Sequence, residues 1–267
     1  MFKRVETSRI NQENVKPTID DICERLVKGF GLGKEDVQPV GSTGKKLPGG
    51  SSGDIDLAID QNRLMEVNGF TNPEEYIDKC NELAEKFDVD VITKPKKGWS
   101  GTSYAWPIAN ADGKQEGQYV QLDLVVTDNM KYITWGYHTD PEQELKDGEL
   151  DVDVNPKAML KGMLLQAIAL GGHESVLKTG TVDGEGESPV EVEIYDYDYR
   201  KGLFKVRKHR NQKRNGNYSR GWKNDEREFI SGDPDEIVQI LFNDQSIHSE
   251  DIMTVKDAWR AFLPLQL

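Results

Sequence analysis

Residues 118–126, QYVQLDLVV, alternate so strictly that an extended strand is the natural reading. Val120, Leu122, Leu124 and Val126 then fall on one side, and Gln121 and Asp123 on the other. DIDLAI at 54–59 repeats the device: Ile55 and Leu57 point into a core, and Asp54 and Asp56 share the opposite face. A one-sided apolar strand must bury that side against another layer, so such strands among amphipathic helices call for a helix-covered sheet.

The helices are legible nearby. Thr18 is expected to cap a helix over 19–30, where Ile19, Ile22, Cys23, Leu26, Val27 and Phe30 line one face and GLG at 31–33 ends it. PEEYIDKCNELAEKF (73–87) starts on Pro73, which suits a first helical turn. AMLKGMLLQAIAL (158–170) is a further helix, with Asn155–Pro156 as its start, and two short ones fall near 234–242 and 254–262. Strands are expected near Val37–Val40, at DVDVIT (88–93), and in SYAWPIA paired across an ADG turn with QYVQLDLVV. VEVEIYDYDY and GLFKVRK are the later strand candidates. Together these give an α+β fold: a mixed sheet flanked by helices, with a smaller C-terminal region. The 172–188 stretch, with a Gly/Glu-rich gap at 180–188, is the expected boundary, dividing a core at 1–172 from an α/β region at 173–267 that is the candidate for acceptor binding.

The totals exclude several classes. A length of 267 residues allows one large or two smaller domains. The net charge of −13 argues against wholesale binding to nucleic acid or membranes, although local charge can differ. Cys23 and Cys80 lack metal-ligand spacing and suit a reduced compartment. MFKRVETSRINQENVK contains no apolar signal segment, and no apolar run approaches a membrane span, so a cytoplasmic setting with no membrane partner is expected.

The chemistry concentrates in GSTGKKLPGGSSGDIDLAI (41–59). Acid–x–acid pairs alone mean little among 47 acidic residues, and they recur at Asp88/Asp90, Asp151/Asp153, Asp196/Asp198 and Asp233/Asp235. Asp54/Asp56 differs in standing on an anchored strand directly after a glycine-rich, basic loop. Two strand residues of one face lie about 6.6–7 Å apart, so both carboxylates can approach one metal cluster. A divalent pair wants a third carboxylate, and Asp123 is the natural choice, with Asp90 as rival. Upstream, Gly41 lets backbone amides approach an anion, Ser42 adds a hydroxyl, and Lys45 and Lys46 can neutralise phosphate charge. The spacing is neither a Walker loop nor an EF-hand. A tight surface turn followed by a chance acidic strand is the plain alternative.

Gly-Ser, eleven residues, Asp-hydrophobic-Asp-hydrophobic and a later hydrophobic-Asp-hydrophobic strand resemble the DNA polymerase β-type nucleotidyltransferase superfamily. The loop is most similar to that of archaeal-type CCA-adding enzymes, oligoadenylate synthetases and their bacterial relatives. The resemblance spans about 37–126 and extends at most to 170. It implies that Gly41 and Ser42 bind nucleotide phosphates and that Asp54, Asp56 and Asp123 hold two Mg2+ ions, with Mn2+ as an alternative. It also implies attack of an acceptor hydroxyl on the α-phosphorus of an NTP, release of pyrophosphate, and Asp123 as general base. Lys161, on the helix after the third strand, becomes a phosphate-binding candidate by the same resemblance, an exposed helix lysine being the plain alternative.

The tract 200–227 carries eleven Lys or Arg against two acids, with Tyr218 and Trp222 interleaved. That suits a polynucleotide backbone with stacked bases, through Arg207, Lys208, Arg210, Lys213 and Arg214. Clamping a triphosphate or offsetting an acidic surface fits the same composition. The expected function is NMP transfer to a hydroxyl acceptor, RNA or another polynucleotide first. Transfer to a small molecule or protein, or synthesis of a nucleotide signal, comes second. A nucleotide- or RNA-binding module without turnover is the reading from a different class.

Overall fold

The computed structural model describes residues 2–46, 48–94, 99, 101–138, 158–172, 174–198 and 201–263. Mixed α+β architecture is present, in two compact units, Met1–Lys157 and Ala158–Leu267.

In the first unit the elements run β1 (Ile10–Asn11), α1 (Gln12–Ile22, continued by a π-helical turn Cys23–Val27), β2 (Val37–Val40), β3 (Ser51–Ser52), β4 (Asp54–Asp60) and α2 (Gln61–Asn68). α3 (Pro73–Phe87), β5 (Asp90–Thr93), β6 (Thr102–Pro107), β7 (Tyr119–Thr127) and α4 (Met130–Gly136) come next. Five strands form one mixed sheet in the order β2-β4-β7-β6-β5. β4 and β7 are parallel neighbours, and the other pairings are antiparallel. β1 and β3 form a separate two-stranded ribbon.

The core lies on one side of this sheet. Ile55, Leu57, Tyr104, Trp106, Leu122 and Leu124 pack with Ile22, Leu26 and Phe30 of the α1 segment and with Tyr76, Cys80 and Leu83 of α3. α3 begins as its sequence requires: Asn72 accepts from the Glu74 and Glu75 N–H groups and Pro73 fills the first turn. Asp88 ends it in a left-handed conformation at φ 54, which shortens the expected 88–93 strand to Asp90–Thr93.

α1 departs from expectation at its start. It begins at Gln12, not Ile19, and passes through Pro17. Thr18 is therefore not its cap. Its buried hydroxyl donates to Asn14 O (2.7 Å) and accepts from the Ala109 N–H (3.0 Å), tying the helix to the loop after β6. Asn14, also buried, reaches Asp112 and Gln115 in the same loop.

The second unit comprises α5 (Ala158–Gly172), β8 (Ser175–Val182), β9 (Gly186–Asp198), β10 (Gly202–Gln212), β11 (Tyr218–Ser231), α6 (Pro234–Phe242) and α7 (Val255–Phe262). The long strands are ordered β10-β11-β8-β9 and close on themselves where Tyr218 pairs in parallel with Val182. α5 packs on β9 and on both later helices. Gln166 fixes it there, donating to Asp196 Oδ1 (3.0 Å) and accepting from the Tyr197 N–H (2.7 Å). These contacts correct the expected boundary. The helix at 158–172 belongs with the strands C-terminal to it, and the 172–188 stretch is mostly β8 and its hairpin turn to β9. The helix start at Asn155–Pro156 lies outside the described residues.

Candidate active site

The parallel pairing of β4 with β7 sets Asp56 directly beside Asp123, and Asp54 beside Gln121. With side chains alternating along each strand, Asp54, Asp56 and Asp123 share the sheet face opposite the α1–α3 core. Asp90 is removed from this group. It lies on β5, two strands from β7, and Arg4 holds its carboxylate through Nε (2.6 Å to Oδ1), which lowers its pKa.

The other described acid–x–acid pairs have structural partners of their own. Asp88 pairs with Arg4, Asp196 and Asp198 with Arg227, and Asp233 and Asp235 accept backbone N–H groups around α6. Asp151/Asp153 lies outside the described residues.

Asp56 is strongly perturbed. Burial first, and then the negative charges of Asp54 and Asp123, push its pKa up to about 7. Asp123 accepts from Gln121 Nε2 through both oxygens, at 3.1 and 3.0 Å, which fixes its orientation along the strand.

The Gly41–Ser42 turn sits against this face. Gly41 has φ +66, and a Cβ there would lie 3.0 Å from Asp56 Oδ2, so the turn approaches the carboxylate as only glycine allows. Thr43, which the sequence reading passed over, is buried and accepts the Asp56 N–H at 3.0 Å. The loop thus shares a hydrogen bond with the strand that carries the acids. Gln12 and Glu13, in the first turn of α1, hold the loop from the other side. Gln12 donates to Gly44 O and accepts from the Lys46 N–H, and Glu13 accepts from the Gly49 N–H. Nothing in the local sequence of 41–53 signals these partners, which lie some thirty residues upstream.

Lys45 Nζ stands 3.3 Å from His138 Nδ1. Burial, together with the nearby positive charge of Arg9, lowers the pKa of Lys46. Lys161 belongs to the second unit. Its side chain is 1% exposed, and its Nζ donates to Met253 O at 3.1 Å, so it is not the solvent-facing lysine of the plain reading.

Three carboxylates on one sheet face present the hard oxygen donors that Mg2+ takes, and a divalent cation would offset the burial and like charge that raise the pKa of Asp56. The donor set therefore fits the metal in kind. Among the described residues, however, no three His, Cys, Asp or Glu side chains converge, as they stand, closely enough to hold one. Side-chain rotation on fixed strands would be part of metal binding.

The five basic candidates of the second unit lie on β10 and in the turn after it. β9, the antiparallel neighbour, is acidic, and the two strands neutralise each other. Arg207 pairs with Glu191, and Lys205 with Glu193 at 2.6 Å. Lys213 pairs with Asp183. Arg210 lies 4.5 Å over the Trp222 ring and 3.4 Å from Glu185. Lys208 and Arg214 make no ion pair among the described residues. Among those residues no helix is long and apolar enough to cross a membrane.

No protein-family model matches the chain, and no curated protein matches it in sequence.

Proposed function

We propose that the protein is a metal-dependent nucleotidyltransferase that moves NMP from an NTP to a hydroxyl acceptor and releases pyrophosphate. The observation that carries this reading is the β4–β7 register: it sets Asp123 beside Asp56, on the face that Asp54 shares, with a glycine turn pressed against Asp56. Asp54, Asp56 and Asp123 would hold Mg2+, which supplies charge neutralisation for the phosphates and acidifies an acceptor hydroxyl. Gly41 and Ser42 offer backbone and hydroxyl donors to the phosphate tail, and Lys45 and Lys46 offset its charge. Asp123, which accepts from Gln121, would take the acceptor proton. A nucleotidyltransferase-type sheet is part of the same proposal. So is a polynucleotide acceptor, which rests on the basic residues of β10 and its turn.

Incubation with labelled NTPs, Mg2+ or Mn2+ and total RNA tests it. Pyrophosphate release that vanishes in the Asp54→Ala/Asp56→Ala double variant is expected. Product analysis then separates RNA from a small-molecule acceptor, a protein acceptor or a joined nucleotide.

A binding module without turnover is the second reading, and the lack of a ready-made three-ligand cluster among the described residues favours it. NTP binding with no pyrophosphate release, under either metal and with any acceptor, would decide for it.

A further inference from the structure

The second unit contains a cleft of about 730 Å3, separate from the acidic trio, and its lining includes Arg207 and Arg210 of the β10 set on which the polynucleotide-acceptor reading rests. Lys178 of β8, Arg207, His209 and Arg210 of β10, and Tyr218 of β11 line it. A regular strand would turn only every second residue toward one side. Here four consecutive residues, His209 to Gln212, reach the cleft, because the β10–β11 register slips between Arg210 and Gln212 and the sheet closes on itself.

The basic side chains divide into two kinds. Arg207 is answered by Glu191 in the same lining, and the His209 ring stands 2.7 Å from Asp225. Two are answered differently. Lys178 stands over the Tyr218 ring, with Nζ 5.5 Å from its centroid. Arg210 gives one nitrogen to the Arg220 carbonyl (2.6 Å) and meets Glu185 only at 3.4 Å. Its Nε is buried with no hydrogen-bond partner. A buried guanidinium N–H without an acceptor is costly, and two oxygens of a tetrahedral phosphate can meet a guanidinium fork. Trp222 under the guanidinium holds it in place.

Gly180 lies so close to Tyr218 that a Cβ would stand 2.8 Å from Cε2, so the glycine leaves room for the ring where the strands close. Asn211 and Gln212 add neutral amides, able to meet a base or sugar edge. The volume lies within the range of sites for molecules of nucleotide size.

We propose that this cleft binds a phosphate monoester of nucleotide size, with Arg210 and Lys178 on the phosphate and Tyr218, Asn211 and Gln212 on the remainder. The monoester can be a free mononucleotide or the 5′-terminal nucleotide of a chain. Binding there does not require transfer activity.

The test uses the full chain carrying Asp54→Ala and Asp56→Ala, in chelator, which removes metal-dependent nucleotide binding at the acidic face. Inorganic phosphate, each of the four NMPs, and a short oligonucleotide with and without a 5′-phosphate are titrated by calorimetry. One-to-one binding of an NMP or of the 5′-phosphorylated oligonucleotide is expected, tighter than inorganic phosphate and about tenfold or more weaker in Arg210→Gln and in Lys178→Gln. Lys178 is exposed, so its variant reports even if Arg210→Gln fails to fold. The tighter of the two phosphorylated ligands identifies the source. Equal affinity for the oligonucleotide lacking its 5′-phosphate, no saturable binding, or binding unchanged by Lys178→Gln would overturn the proposal. Pyrophosphate release by the wild type is measured separately, so either result can fail alone.

Discussion

Asp56 titrates close to neutrality because its surroundings oppose its charge: little solvent, and two carboxylates beside it. The unfolded side chain titrates near 3.9. Its folded pKa is raised, so the native state binds more protons between the two values. The metal-free protein should therefore be most stable below about pH 4 with respect to this group, lose a few kcal/mol as pH rises to about 7, and level off beyond. Denaturant titrations from pH 5 to 8 check this, and Asp56→Asn should flatten the profile. Saturating Mg2+ should raise the melting temperature of the wild type at pH 8, and much less in the variant. Gly41 supplies a second prediction at this scale. Alanine there would adopt a left-handed conformation and press on Asp56 Oδ2. Gly41→Ala should cost about 1–2 kcal/mol in denaturant unfolding and lower pyrophosphate release beyond that loss of stability.

Among the elements, strand β4 and the loop before it behave as one piece. Thr43 is the fastener, accepting the Asp56 N–H from a buried position. Thr43→Val leaves that donor without a partner and should cost about 1–3 kcal/mol, whereas Thr43→Ser should recover most of it; equilibrium unfolding of the pair measures both. Elements with strong local signals appear where the sequence puts them: β2, β4, α3, the β6–β7 pair, α5, α6 and α7. Those that were missed lack such signals. β8 is mostly exposed along its length, so no alternation of apolar residues announces it. β11 runs through a stretch dense in Lys, Arg, Asn and Glu, and is held by its long antiparallel register with β10. The extra turns at the start of α1 depend on Asn14 and Thr18 meeting a loop about ninety residues away, contacts that no window around Pro17 contains.

Over the whole chain, the two units each have their own buried residues. The first centres on the sheet with α1 and α3, and the second on Leu165, Ile168, Val192, Ile194, Ile237 and Leu241. Calorimetry should resolve two unfolding transitions, of which Mg2+ with an NTP analogue raises only the one that Asp56→Asn also moves. A single transition would show that the units unfold together. The cross-strand ion pairs of the second unit set a further expectation. A phosphate backbone must compete with Glu191, Glu193 and Asp183 for Arg207, Lys205 and Lys213, and among the described residues Lys208 and Arg214 are the candidates of that tract with no ion pair to break. If RNA binds there, the logarithmic salt slope should be shallow, about −1 to −2, and a slope of −4 or steeper would mean that the pairs open on binding.

Which residues face a core and which turn away could be read from the chain directly, because strand and helix periodicity are local properties written in successive side chains. That was enough to single out Asp54, Asp56, Asp123 and the glycine turn before them. It took the folded arrangement to put Asp123 beside Asp56 and Asp90 apart, to assign α5 to the second unit, and to set the acids of β9 against the cations of β10. Strand order and register arise from which buried faces can pack together, and that choice joins residues far apart in the chain.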